Sequence, residues 1–227
     1  MSDVWVPLLL SLKVAGWATV LASLAGITVA YGLSRKGSRW GDFVDSLLTL
    51  PMVLPPTVIG YYLLVLFGRR GWLGGWLQDH GIELVFTWQG AAVAASVVAF
   101  PMVLKASRAA FLGVDRRLEQ AAAVLGAGRV AVFLLVSLPL AARGILAGIL
   151  LAFARALGEF GATLMVAGSI PGRTQTLSIA IYEAVQAGDD RTANILVLVT
   201  SATCVVVLCV VAWLLRRSGS GWLVGRR

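Results

Sequence analysis

Apolar residues fall into runs of about 20, long enough for a helix to cross ~30 Å of hydrocarbon, and short polar stretches rich in arginine and lysine separate them. No run shows the two-residue alternation of a membrane barrel strand. The pattern predicts five membrane-crossing helices over residues 8–33, 43–67, 90–112, 140–161 and 195–215. Lys13 is the single charge of the first run and lies near its start, where a long side chain reaches the interface. Pro51, Pro55 and Pro56 break the second run, and Pro101 lies in the third. Backbone groups freed by proline survive in lipid only where neighbouring helices or a cavity satisfy them, so these breaks are expected inside the bundle. The expected fold class is all-α, a polytopic bundle of about five transmembrane helices in one domain, 1–227.

Composition agrees: 59% of residues are hydrophobic and 13% charged, against about 25% charged in soluble domains. The formal charge of +8 is spread between apolar runs and forms no solvated basic face, so a nucleic-acid partner is not expected. It orients the chain instead. Segments 34–42, 105–143 and 216–227 hold 13 of the 19 arginines and lysines, while 68–89 and 162–192 hold 4. By the positive-inside rule the first three face the cytoplasm, which puts the amino terminus outside and the carboxyl terminus inside, with Trp72, Trp76 and Trp88 as outer interfacial anchors. Residues 1–7 have no basic stretch and no cleavage site, so a removable signal peptide is not expected. Cys204 and Cys209 fall within the last apolar run as small hydrophobes, and His80 is isolated in an external loop. Neither a metal site nor a cofactor is implied, and a membrane redox enzyme lacks its cluster of ligands.

The largest cytoplasmic segment, 115–139, contains "DRRLEQAAAVLGAG". Asp115 is placed to cap a short helix, Leu118, Ala121, Ala122 and Leu125 share one face, and Gly126 or Gly128 ends it; Pro139 then marks the entry to the fourth span. By helix pattern alone this fits an amphipathic connector. Glu119, Gln120, Ala121, Ala122 and Ala123, followed by Gly126 and then Leu138–Pro139, resemble the cytoplasmic signature of ABC importer permeases, with Gln120 in place of the usual alanine. The resemblance implies that Glu119, Ala121, Ala122 and Gly126 belong to a coupling helix that docks in a cytosolic ATP-binding subunit dimer. The likeness extends from residue 11 to the fifth span. Within it, "LAFARALGEFGATLMVAGSIPGRTQTLSIAIYEAVQAGDD" (151–190) resembles the molybdate permeases, while sulfate and thiosulfate permeases share a similar "GEFG" and tungstate is not distinguished from molybdate.

No GxxxxGK[ST] loop is present, so the chain is expected to be a transport subunit and not itself an enzyme, with ATP hydrolysis supplied by another polypeptide. The family implies a homodimer in the inner or plasma membrane, fed by a periplasmic or extracellular oxyanion-binding protein. An ion channel would work without the coupling helix. Arg155 and Glu159, four apart in the fourth span, are costly in lipid and are expected to pair. With Gly158, Gly161 and Thr163 they fit a translocation path or equally a structural ion pair between packed helices. Residues 172–190 form an amphipathic helix with Leu177, Ile181, Ala184 and Val185 on one face, either an outer gate or a plain interfacial helix.

Overall fold

The computed structural model describes residues 2–35 and 39–219; Ser38 and the basic residues at positions 36, 226 and 227 lie outside the described residues. The helices are α1 (Ser2–Arg35), α2 (Arg39–Leu48), α3 (Pro56–Phe67), α4 (Trp72–Asp79), α5 (Trp88–Leu112), α6 (Arg116–Val124), α7 (Arg129–Val132), α8 (Leu138–Leu157), α9 (Gly161–Ala167), α10 (Leu177–Gln186) and α11 (Asp190–Gly219). A 3₁₀ turn, Leu50–Met52, follows α2, and a π-turn, Phe133–Ser137, joins α7 to α8.

α5 is the axis of the bundle. Thr87 starts it, its hydroxyl accepting the Gly90 N–H at 3.2 Å. Ala91, Ala94, Ala95, Ala99, Pro101, Val103 and Leu104 are all buried along its length. α1 runs parallel to it: Lys13 Nζ stands 3.7 Å from the Trp88 ring at one end, and a methyl group at Gly26 would lie 3.0 Å from Val103 Cβ near the other. α8 runs antiparallel, since methyl groups at Gly144 and Gly148 would lie 2.6 Å from the Cβ atoms of Ala110 and Ala106. Apolar attraction does not drive helices together in lipid, so close approach over small residues supplies the contact energy.

The second apolar run is two helices. α2 and α3 meet at a 103° bend, where Pro55 and Pro56 forbid a continuous ladder. α2 is amphipathic: Trp40, Phe43 and Leu47 are exposed at helical spacing, while Asp45 on the opposite side meets Lys105 near the end of α5. Phe67 at the end of α3 lines a cavity with Leu84 and Val85, beside the start of α5. The bent pair thus joins opposite ends of α5 and counts as one broken span, which with four long apolar helices gives five.

Two expectations need correction. The fourth apolar helix is continuous over Arg129–Leu157, so Pro139 lies inside it, ten residues from its start, and does not mark its entry. An interior proline clashes with the carbonyl four residues back; the π-turn ending at Ser137 widens the ladder there, with the Leu138 N–H donating to the Phe133 carbonyl. In α10, Leu177 and Ala184 are buried and Ile181 packs against them as expected, whereas Val185 is 60% exposed and Ile179 and Ala180 are buried in its place, so the packed surface is wider than the expected stripe and leaves Val185 out. Ser11 of α1 accepts the Leu177 N–H at 2.8 Å and ties the start of α10 to α1, and the buried side packs on Val4 and Leu8 of α1 and on Ala193 and Leu196 of α11. At the start of α11 the Asp189 carboxylate accepts from the Thr192 side chain and backbone N–H, which hold its pKa below the usual aspartate value.

Candidate coupling surface and translocation site

α6 is built by its two ends. Asp115 Oδ1 accepts the Arg117 N–H at 2.9 Å, and at the other end the Ala127 N–H bonds to the Ala122 carbonyl while the Gly126 N–H bonds to that of Ala123. This Schellman closure requires the left-handed conformation of Gly126, φ +89°. Ala121 and Gly126 are exposed and Ala122 is half-buried. Leu118 is 49%, Val124 87% and Leu125 88% exposed, an apolar tip on a segment that lies beyond the end of the α5 span. Glu119 is different. It faces the bundle, ion-paired to Arg35 and accepting from Ser137 Oγ.

The second group lies inside the bundle. Extending the antiparallel register of α8 on α5 puts Arg155 level with Ala99, about half-way along the span. α8 ends at Leu157, so Glu159 is not on the same helix as Arg155, as the four-residue spacing predicts, but in the break before α9. The pair forms even so: Arg155 Nη1 lies 2.7 Å from Glu159 Oε2, and the carboxylate side chain is 1% exposed. The other oxygen, Oε1, accepts the Ala162 N–H at 2.8 Å and so caps α9. Thr163 is buried, and its hydroxyl donates to the Phe160 carbonyl at 2.9 Å, which leaves it no free donor. α9 rests on α3 through small residues: a methyl group at Gly161 would lie 3.2 Å from Pro56 Cβ, and one at Gly60 2.9 Å from Ala162 Cα. The broken ends of the second and fourth spans therefore adjoin, with the ion pair beside them.

This combination of a capped helix beyond the span and an interrupted bundle agrees with comparison to known proteins. The family model described as "Binding-protein-dependent transport system inner membrane component" matches residues 22–220. The chain belongs to this family. The permease is 46% identical over 216 residues to the molybdenum transport system permease protein ModB of Escherichia coli (strain K12), covering 94% of each chain. It is 40% identical over 195 residues to the putative molybdenum transport system permease protein YvgM of Bacillus subtilis (strain 168), covering 85% of each. Its fold is similar to that of the MetNI methionine ABC transporter in an inward-facing form, with a TM-score of 0.73 at 16% identity over 95% of this chain and 94% of that one. A bacterial ABC transporter that imports alginate gives a TM-score of 0.73 at 15% identity, over 93% and 78% of the two chains.

Residue patterns do not announce the two partners of Glu119 or the ion-pair cluster between α2 and α5. Arg35 and Ser137 are 84 and 18 positions from Glu119, and no local spacing announces either contact. Asp45 binds Lys105 and Arg108, whose Nη1 stands 3.0 Å from Asp45 Oδ2, while Arg108 Nη2 reaches Asp42 Oδ1 at 3.1 Å. The one available signal was the placement of Asp42 and Asp45 on the polar side of an amphipathic turn. Among the described residues no group of three or more His, Cys, Asp or Glu side chains is placed to hold a metal ion.

Proposed function

We propose that this chain is the membrane subunit of a molybdate importer, one permease domain over 1–227 with 115–139 as its coupling segment. Two copies line the path as a homodimer, each docking one copy of an ATP-hydrolysing subunit on α6. A binding protein delivers the oxyanion from outside, with the amino terminus on that side and the carboxyl terminus in the cytoplasm. The observation that carries the reading is the exposed apolar tip Leu118, Val124 and Leu125, next to Ala121 and Gly126: apolar side chains held out on a capped helix beyond the membrane fit a partner's cleft. The molybdenum permeases named above, at 40–46% identity, support the choice of substrate.

At the ion pair, a tetrahedral dianion in transit competes with Glu159 for Arg155, while the buried carboxylate prevents a tight resting complex that would hold the anion. Val124→Asp with Leu125→Asp tests the docking surface. The variant is expected to insert normally and to lose at least about tenfold in capture of the ATP-hydrolysing subunit, because two charges enter an apolar contact. Wild-type capture would refute docking at α6. Uptake of labelled molybdate into proteoliposomes holding the full complex tests the substrate: competition by excess tungstate but not by sulfate is expected, and equal competition by sulfate would overturn the molybdate reading.

A further inference from the structure

The cytoplasmic ends of two spans and the coupling helix meet at one carboxylate. Glu119 Oε1 accepts from Arg35 Nη2, in the last turn of α1, and from Ser137 Oγ, the closing residue of the π-turn. Its side chain is 12% exposed and Ser137 is fully buried. The Arg35 guanidinium also lies 5.2 Å from the Tyr31 ring centroid, and Arg116 Nη2 donates to the Ser34 carbonyl at 3.3 Å. With about 100° per residue along the helix, Leu118, Ala121, Val124 and Leu125 lie within one half of the surface of α6. Glu119, Ala123 and Arg116 lie on the other. The face that is free for a partner and the face that carries the carboxylate are therefore opposite.

We infer that Glu119 acts within its own chain, and that Arg35 and Ser137 are positioning residues for coupling. The carboxylate fixes the rotation of α6 against α1 and α8, so a force applied to the exposed face reaches both spans through two hydrogen bonds to a single oxygen. The receiving element on α8 is suited to move. At the π-turn the helical ladder is already widened, and Pro139 just beyond it supplies no N–H donor. From there the helix continues to Arg155 and the break that holds Glu159.

This inference rests on α6 being the docking helix, which the Val124→Asp/Leu125→Asp variant tests separately. The experiment uses the complete complex with its ATP-hydrolysing subunit and molybdate-loaded binding protein, reading capture of that subunit, stimulated ATP hydrolysis, and molybdate imported per ATP. Arg35→Glu and Glu119→Arg are each expected to keep capture within about twofold of wild type and to lower import per ATP by roughly tenfold, within the usual range of coupling between sites. The exchanged pair Arg35→Glu/Glu119→Arg is expected to recover much of the loss, because the ion pair is restored with its polarity reversed. Ser137→Ala and Glu119→Gln, which change little in volume, are expected to lower import per ATP at unchanged abundance. Loss of capture in Glu119→Arg with normal coupling in Arg35→Glu would show that the carboxylate contacts the partner directly, and would overturn the inference. Normal import per ATP in both Ser137→Ala and Glu119→Gln would overturn it as well, even if the charge-reversed variants fail to accumulate.

Discussion

Glu159 illustrates how one side chain carries two structural duties. It balances Arg155 and caps α9, so its loss strands a cation inside the bundle and leaves the Ala162 N–H without its acceptor. Glu159→Ala is expected to destabilise the detergent-solubilised permease by about 3 kcal/mol, the low end for a broken buried pair because Arg155 is 29% exposed. Arg155→Ala/Glu159→Ala should cost less than Glu159→Ala alone, since no stranded charge remains, though the cap is still missing. Thermal unfolding of the three variants measures this order, and strictly additive losses would show that the two side chains are not paired. At this scale the sequence was legible where chemistry is local. Asp115 and Gly126 announce both ends of α6, and the rarity of charge in lipid singles out Arg155 and Glu159. The Arg35–Glu119 pair was not legible, because it depends on where the end of α1 lies relative to a segment 84 residues away.

Among the elements, close helix contacts depend on which face of each helix is turned inward. Gly148→Val in α8 is expected to cost about 1–3 kcal/mol, because the added atoms collide with Ala106 across the α5 contact. Gly16→Ala in α1 meets nothing within 4 Å and is expected to be neutral or to stabilise by roughly 1 kcal/mol through helix propensity. Chemical denaturation in the same detergent compares the two, and equal effects would refute the packing scheme. Long apolar helices were readable from their length and hydropathy. The start of the fourth was misplaced because proline inside a helix costs ~3 kcal/mol in a regular ladder, whereas here a π-turn accommodates it. Likewise, the packed surface of α10 depends on the positions of α1 and α11 around it, contacts that apolar periodicity alone does not contain.

For the molecule as a whole, the parallel arrangement of α1 and α5 puts Lys13 and Trp88 at one end and Arg35 and Glu119 at the other. Among the described residues Arg35, Lys105, Arg108 and Arg116 cluster at the second end, so that end is expected to face the cytoplasm. Cysteine introduced at Asp79 should react with an impermeant thiol reagent in intact cells, and cysteine at Ala123 only after the membrane is opened. The test is made in a background lacking Cys204 and Cys209, which are both exposed. The reverse pattern would invert the orientation.

The adjoining breaks in the second and fourth spans have a mechanical consequence. Among the described residues, backbone hydrogen bonds stop on either side of Leu54–Pro55 and of Glu159–Phe160, while the glycine contacts bind α3 to α9. Together these two short helices make a wedge set into the half of the bundle nearer Trp88, with the two breaks side by side at its base. Tilting the wedge breaks no rung of a helical ladder; its enthalpic cost falls on side-chain contacts, on the Glu159 bond to Ala162 and on the Phe86 N–H bond to the Val166 carbonyl, 3.1 Å, which ties α9 to the segment before α5. A movement of this kind lets one half of the bundle change shape while α5 remains intact as its spindle.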